Sequence, residues 1–199
     1  MDETPLYFDM PSSILACTAA GDMLPPMIIF KGKRVLKNLR IPPGVVVELQ
    51  QKGWNDASLM LVWIQKVLRY TKKQHALIVW DTFTGHMTEE VAEKLQKSNI
   101  TVVVIPGGCT SKIQPLDVCL NKPLKCYCRN QWMEYIQKQV ATLEPGEQPK
   151  TAAKQQVIDW VVDSNKLLNS KRGNDHQVLS GVWHIKCIGW VTEQHDSLC

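Results

Sequence analysis

Two short apolar runs, "HALIVWD" ending on Asp81 and "ITVVVIP" ending on Pro106, constrain this chain more than any other feature. Each has the length of one strand, and neither alternates apolar with polar residues, so each is expected to be buried on both faces. Between them lies "TEEVAEKLQKS", which opens with Thr88 and two glutamates and closes with lysines, an order that suits a helix dipole at both ends. Strand, helix and strand at this spacing form a βαβ unit, whose strands lie parallel with helices packed against the sheet.

The remaining segments extend this pattern. Residues Ser13 to Phe30 predict two apolar strands around Ala-Gly-Asp-Met, a hairpin turn signal. "IPPGVVVELQ" predicts a turn and a short strand. "NDASLMLVWIQKVLRY" predicts an amphipathic helix capped by Asn55 or Asp56, with Leu59, Trp63 and Val67 at helical spacing. After Pro-Gly-Gly, "QPLDVCLNKPLKCYCRNQWMEYIQKQV" predicts a long helix with Pro115 at or near its first turn. Pro123 must kink that helix or move its start later. "ATLEPGEQPKT" is a linker, "AAKQQVIDWVVDSNKLL" another helix and "NSKRGNDHQ" another loop. The tryptophans at 54, 63, 80, 132, 160, 183 and 190 are mostly core candidates.

Composition excludes several classes. The 199 residues suffice for one domain with a core, and 44% hydrophobic with 21% charged residues describes a soluble globular chain. Ile14 to Phe30, the longest apolar stretch, is broken by Gly21, Asp22, Pro25 and Pro26, so no membrane partner is expected. The start, Met-Asp-Glu-Thr-Pro, is acidic where a signal peptide would be basic. Seven scattered cysteines predict a reducing compartment. Cys126 and Cys128 form a C-x-C, but on a helix their side chains diverge by about 200°, which argues against zinc.

Asp81 ends one parallel strand and Asp117 follows the next, so both emerge at the same end of the sheet, where functional residues of α/β sheets collect. Asp117 falls in the first helical turn, where the dipole favours a carboxylate, and Asn121 shares its face. His86, in the loop after Asp81, is a candidate supporting partner. Two carboxylates at one spot repel unless a cation or a proton intervenes, and Mg or Mn is the usual resolution. With a third carboxylate such a site holds two metals for in-line displacement at phosphorus. Simpler roles stand beside this one: Asp81 as a turn cap, Asp117 as a helix-terminal acid. The net charge of +4 permits a polyanion as partner. Lys31, Lys33, Arg34, Lys37 and Arg40 form a cationic run suited to a phosphate backbone or to solvent alone, and Arg69, Lys72 and Lys73 form a smaller one.

Taken together, "DETPLYFDMP", "ACTAAGDMLPPMIIFKGKR", "KGWND", "LIVWDTFTGHMTEEV" and "VIPGGCTSKIQPLDVCLNKPLK" resemble the transposase domain of the pogo and Tigger group, to which centromere protein B is also similar. The resemblance covers roughly Asp2 to Ile136 and fades beyond about Thr142. It implies a DDE superfamily domain over residues 1–140, a linker over 141–152 and a divergent helical segment and tail over 153–199. The implied fold is α/β and ribonuclease H-like, a mixed sheet flanked by helices. In this group the first aspartate ends a strand central to the sheet; here the chain begins at that aspartate, which implies that most of this strand is missing. The implied metal-binding and catalytic triad is Asp2, Asp81 and Asp117, with His86 and Asn121 in support and a two-metal Mg or Mn site. The implied partner is DNA, contacted by Lys31, Lys33, Arg34, Lys37, Arg40, Lys112, Lys122 and Lys125, in the nucleus. Three functions follow as expectations: nucleic-acid association, a residual metal-dependent endonuclease or strand-transfer core, and pairing with itself or related proteins through an open sheet edge.

Overall fold

A computed structural model of the chain describes residues 2–5, 11–18, 23–33, 38–68, 76–83, 85, 88–109, 116 and 120–174, with the backbone alone at 2–5 and 171–174. Strands β1 (Asp2–Pro5), β2 (Ser12–Leu15), β3 (Met27–Lys31) and β4 (Val46–Gln50) form one mixed sheet in the order β1-β2-β3-β4. The predicted hairpin is β2 and β3, antiparallel with Ser12 opposite Ile29, and continued past the strand ends by Leu24 N–H donating to the Ala16 carbonyl at 2.9 Å. β4 lies parallel to β3, Met27 opposite Val46. Strands β5 (Ala76–Trp80) and β6 (Ile100–Val104) form a second, parallel sheet with Ala76 opposite Ile100.

Helices α1 (Ala57–Lys66), α2 (Glu89–Lys97), α3 (Asn121–Val140) and α4 (Lys154–Asn174) complete the described fold. Of the two cap candidates for α1, Asp56 is the one that acts: its Oδ1 accepts the Leu59 N–H at 3.0 Å. Thr88 occupies the cap position of α2 without a side-chain bond to the helix, and Asn99, at φ 55°, turns the chain out of α2 into β6.

Residues Ser12–Leu15 and Met27–Phe30 of the central strands are buried because helices cover both faces. On one side Ile14, Met27 and Ile29 pack with Trp63 of α1, Trp80 of β5 and Leu95 of α2, so one core joins the two sheets. On the other, Leu15, Ile28 and Phe30 pack with Leu124 and Cys128 of α3 and with Val157, Ile158 and Val161 of α4. Neighbouring residues of one strand thus belong to opposite cores, as a period of two requires. The α3–α4 contact adds a Tyr135–Trp160 edge-on ring pair at 5.6 Å and Gln131 Nε2 donating to the Ser164 hydroxyl at 3.0 Å. Gln139 fixes the connection between these helices, accepting Lys150 N–H at 2.8 Å and donating to the Lys150 carbonyl at 3.0 Å.

Three sequence expectations change. β6 is not buried on both faces: Thr101 and Val103 are exposed, because α2 covers only the side carrying Ile100, Val102 and Val104. Of the helix expected from Pro115, Leu116 and Leu120 have π-helical backbone, and the α-helix proper, α3, runs from Asn121 with Pro123 in its first turn. Helix α4 continues through the expected loop to Asn174; no proline interrupts it, and Ser170 Oγ donates back to the Leu167 carbonyl at 3.0 Å. Trp54 is not a core residue, being 58% exposed, whereas Trp63 and Trp80 are 1% exposed.

Candidate functional site

Asp81 directly follows β5 and is half-buried; its Oδ1 accepts the Phe83 N–H at 3.1 Å. This is the turn-capping role, and it holds the carboxylate at the strand end. Close packing follows at Gly85, where a Cβ would stand 2.5 Å from the Phe83 ring. Asp2 lies on β1, opposite Leu15, at the outer edge of the four-stranded sheet. Among the described residues, the strand bearing Asp2 and the strand that Asp81 follows belong to different sheets. Asp117 and His86 lie outside the described residues, as do Arg34, Lys37, Arg69, Lys72, Lys73 and Lys112. Asn121 is the first residue of α3 and is buried at 4% exposure.

A divalent metal needs several oxygen ligands converging on one point. Among the described residues no group of three His, Cys, Asp or Glu side chains is placed to hold an ion. Of the expected triad only Asp81 has a described side chain, and its Oδ1 is engaged with the Phe83 N–H. Cys126 is exposed and Cys128 buried, on opposite sides of α3 as their spacing requires. Burial pushes the Cys128 thiol pKa up, partly offset by its contact with Ser164 Oγ at 3.4 Å.

The cationic residues are better defined. Lys31 ends β3 and is exposed, as are Lys33 and Arg40. Arg40 sits on a fixed backbone: its N–H donates to Gln155 Oε1 at 2.8 Å, and Gln155 Nε2 donates to its carbonyl at 3.0 Å. Lys122 is exposed and Lys125 half-buried in the first turns of α3.

Lys31 also lines a cleft of about 400 Å³ together with Lys52, Trp54 and Lys154, three residues that sequence reasoning did not assign to a site. Its rim is built by the turn after β4. Gly53, at φ +80°, donates its N–H to Gln50 Oε1 at 2.8 Å, and its carbonyl accepts from Ser12 Oγ. A Cβ at Gly53 would stand 3.1 Å from Lys31 Cβ, so only glycine permits this approach without strain. Lys154 Nζ lies 5.6 Å from the centre of the Phe30 ring, within cation–π range. The available signal was "KGWND": an exposed glycine turn presenting a lysine and a tryptophan.

A family model described as "DDE superfamily endonuclease" matches residues 10–194, running through the segment where the motif resemblance fades. The human protein "Pogo transposable element with ZNF domain" is 31% identical over 132 residues, covering 65% of this chain and 9% of that protein. The human "Pogo transposable element with KRAB domain" is 28% identical over 190 residues, and its mouse counterpart 26%; each match covers 81% of this chain and 31% of the relative. The chain thus spans between about a tenth and a third of the curated relatives it matches. No solved structure matches it significantly. The chain belongs to the DDE superfamily endonuclease family and is distantly related to the pogo transposable element proteins.

Proposed function

We propose that this chain is a transposase-derived domain of the pogo and Tigger kind, with a ribonuclease H-like fold, that binds DNA and works in the nucleus. The observation carrying this reading is the cationic surface where β3 ends: Lys31, Lys33 and Arg40 are exposed, and Lys52 and Lys154 stand beside Lys31 around one cleft. Ammonium and guanidinium groups on one surface attract a phosphate backbone by releasing its counterions, so binding weakens steeply with salt. The test is duplex binding by fluorescence anisotropy across a salt series, for the wild type and for a variant with Lys33, Arg34 and Lys37 changed to glutamine. The expected result is weaker binding and a shallower dependence on log salt, by up to about 0.9 for each phosphate that the variant no longer neutralises. Binding indifferent to salt and to these changes refutes the reading.

A second reading, a metal-dependent DNA endonuclease or strand-transfer core, is favoured by one position: Asp81 stands at the C-terminal end of a parallel strand. Asp2, Asp81 and Asp117 would hold Mg or Mn, with His86 and Asn121 in support, and the metals would supply an activated hydroxyl and a stabilised leaving oxygen. Plasmid nicking in Mn²⁺ that is lost in both Asp81→Ala and Asp117→Ala supports this; nicking that survives either change rejects it.

A further inference from the structure

The exposure of Trp54 is unusual in its setting. The backbone on either side is anchored: Gly53 is held by Gln50 and Ser12, Asn55 is 5% exposed and donates its Nδ2 to Met60 Sδ at 3.1 Å, and Asp56 caps α1. The indole therefore projects from a fixed support while remaining 58% exposed. An apolar ring of this size on an anchored backbone would gain by packing inward, and two other tryptophans of this chain do so. Its position at the mouth of a cleft gives it a partner instead.

The rest of the cleft defines the chemistry of that partner. Lys31, Lys52 and Lys154 are exposed around it, and among the described residues that line it there is no carboxylate. Its floor is apolar, built on Phe30 and Val157. The volume of about 400 Å³ falls within the range of small-molecule sites. Lysines call for an anion, and an exposed indole calls for a planar ring that can stack on it. A nucleotide unit carries both on one scaffold. Bases in a duplex are already stacked on both faces, so only an unpaired base can offer its face to Trp54. Stacking on aromatic side chains within a basic groove is how single strands are held without regard to sequence.

We infer that the cleft between the β3 and β4 ends and the start of α4 is a binding site for single-stranded nucleic acid, in which Trp54 stacks on one unpaired base and Lys31, Lys52 and Lys154 hold the flanking phosphates. The inference rests on the DNA-binding reading above and adds a place and a mode to it. The anchored turn means that little ordering of the protein is lost on binding.

The test uses the 199-residue chain and three labelled probes: an oligothymidine of about 12 nucleotides, a length within the span such grooves cover, an abasic strand of equal length, and a duplex. Wild-type protein binds oligothymidine more tightly than the abasic strand. Trp54→Ala weakens oligothymidine binding about tenfold or more, leaves abasic binding unchanged, and so removes the preference. Trp54→Phe restores part of it, while Lys52→Gln with Lys154→Gln weakens both strands. Duplex binding that persists while Trp54→Ala leaves oligothymidine affinity unchanged refutes the cleft and spares the DNA-binding reading. Absence of binding to all three probes refutes both. With a phosphopeptide of matched charge added as a fourth probe, a preference for it over oligothymidine assigns the cleft to a protein ligand and overturns the inference.

Discussion

Replacing Asp56 by alanine removes a residue with several partners. Its Oδ1 accepts the Leu59 N–H at 3.0 Å and the Ser58 hydroxyl at 2.6 Å, while Oδ2 accepts Gln50 Nε2 at 3.1 Å. Loss of a helix cap costs about 1 kcal/mol, with a range of roughly 0.5–2; releasing Gln50, which holds the turn bearing Gly53, places the effect in the upper half of that range. For a domain of this size that lowers the melting temperature by about 3–6 °C. The pH dependence has a definite sign. Burial pushes the Asp56 pKa up, but the hydrogen bonds from Ser58, Leu59 and Gln50 outweigh it and hold the pKa below its ordinary value. A carboxyl whose pKa is depressed on folding contributes stability that is fully present above its unfolded pKa, about 3.9, and that is lost as pH falls through the folded value. Melting curves of wild type and Asp56→Ala at pH 7 should therefore differ, and the difference should shrink when both are measured below pH ~3. Asp56→Asn keeps an acceptor at the cap and should lose less than alanine at pH 7. A gap between wild type and Asp56→Ala that stays constant down to the lowest pH, or no gap at pH 7, refutes the argument.

Three further outcomes follow from packing and backbone geometry. Gly53→Ala forces a side chain into φ +80° and within 3.1 Å of Lys31 Cβ, so denaturant titration should show a loss of about 1 kcal/mol or more; unchanged stability would mean that the turn adopts another conformation. Trp63→Ala should cost about 3–5 kcal/mol, whereas Trp54→Ala should fall within about 0.5 kcal/mol of wild type in the same titration; equal costs would contradict their opposite exposures. In native buffer a thiol-alkylating reagent should label Cys126 and spare Cys128, which is 2% exposed with its thiol pKa raised by burial. Mass-spectrometric mapping reads this directly, and labelling at Cys128 at the rate of Cys126 would show that the α3–α4 contact opens.

The amino-acid sequence by itself determined the local elements of this protein. The apolar runs at 76–80 and 100–104 had to be parallel strands because a helix separates them, a cap had to lie at Asn55 or Asp56 because a helical apolar stripe follows them, and Cys126 and Cys128 had to diverge because they are two residues apart on a helix. Family membership was likewise legible, because motifs such as "VWD" and "QPLD" are contiguous. Tertiary structure decided what depends on neighbours distant in the chain. Whether a strand is covered on one face or two is set by the helices that reach it, so Val103 is exposed although its run is as apolar as that of β5. The same holds for tryptophan: Trp54 and Trp63 are equally hydrophobic, and only the packing of α1 against both sheets buries one while the anchored glycine turn holds the other out. The cleft is the clearest case. Lys31, Lys52 and Lys154 come from three segments, and a basic site exists only because β4 pairs beside β3 and α4 packs across Phe30, a convergence that no local pattern of residues encodes.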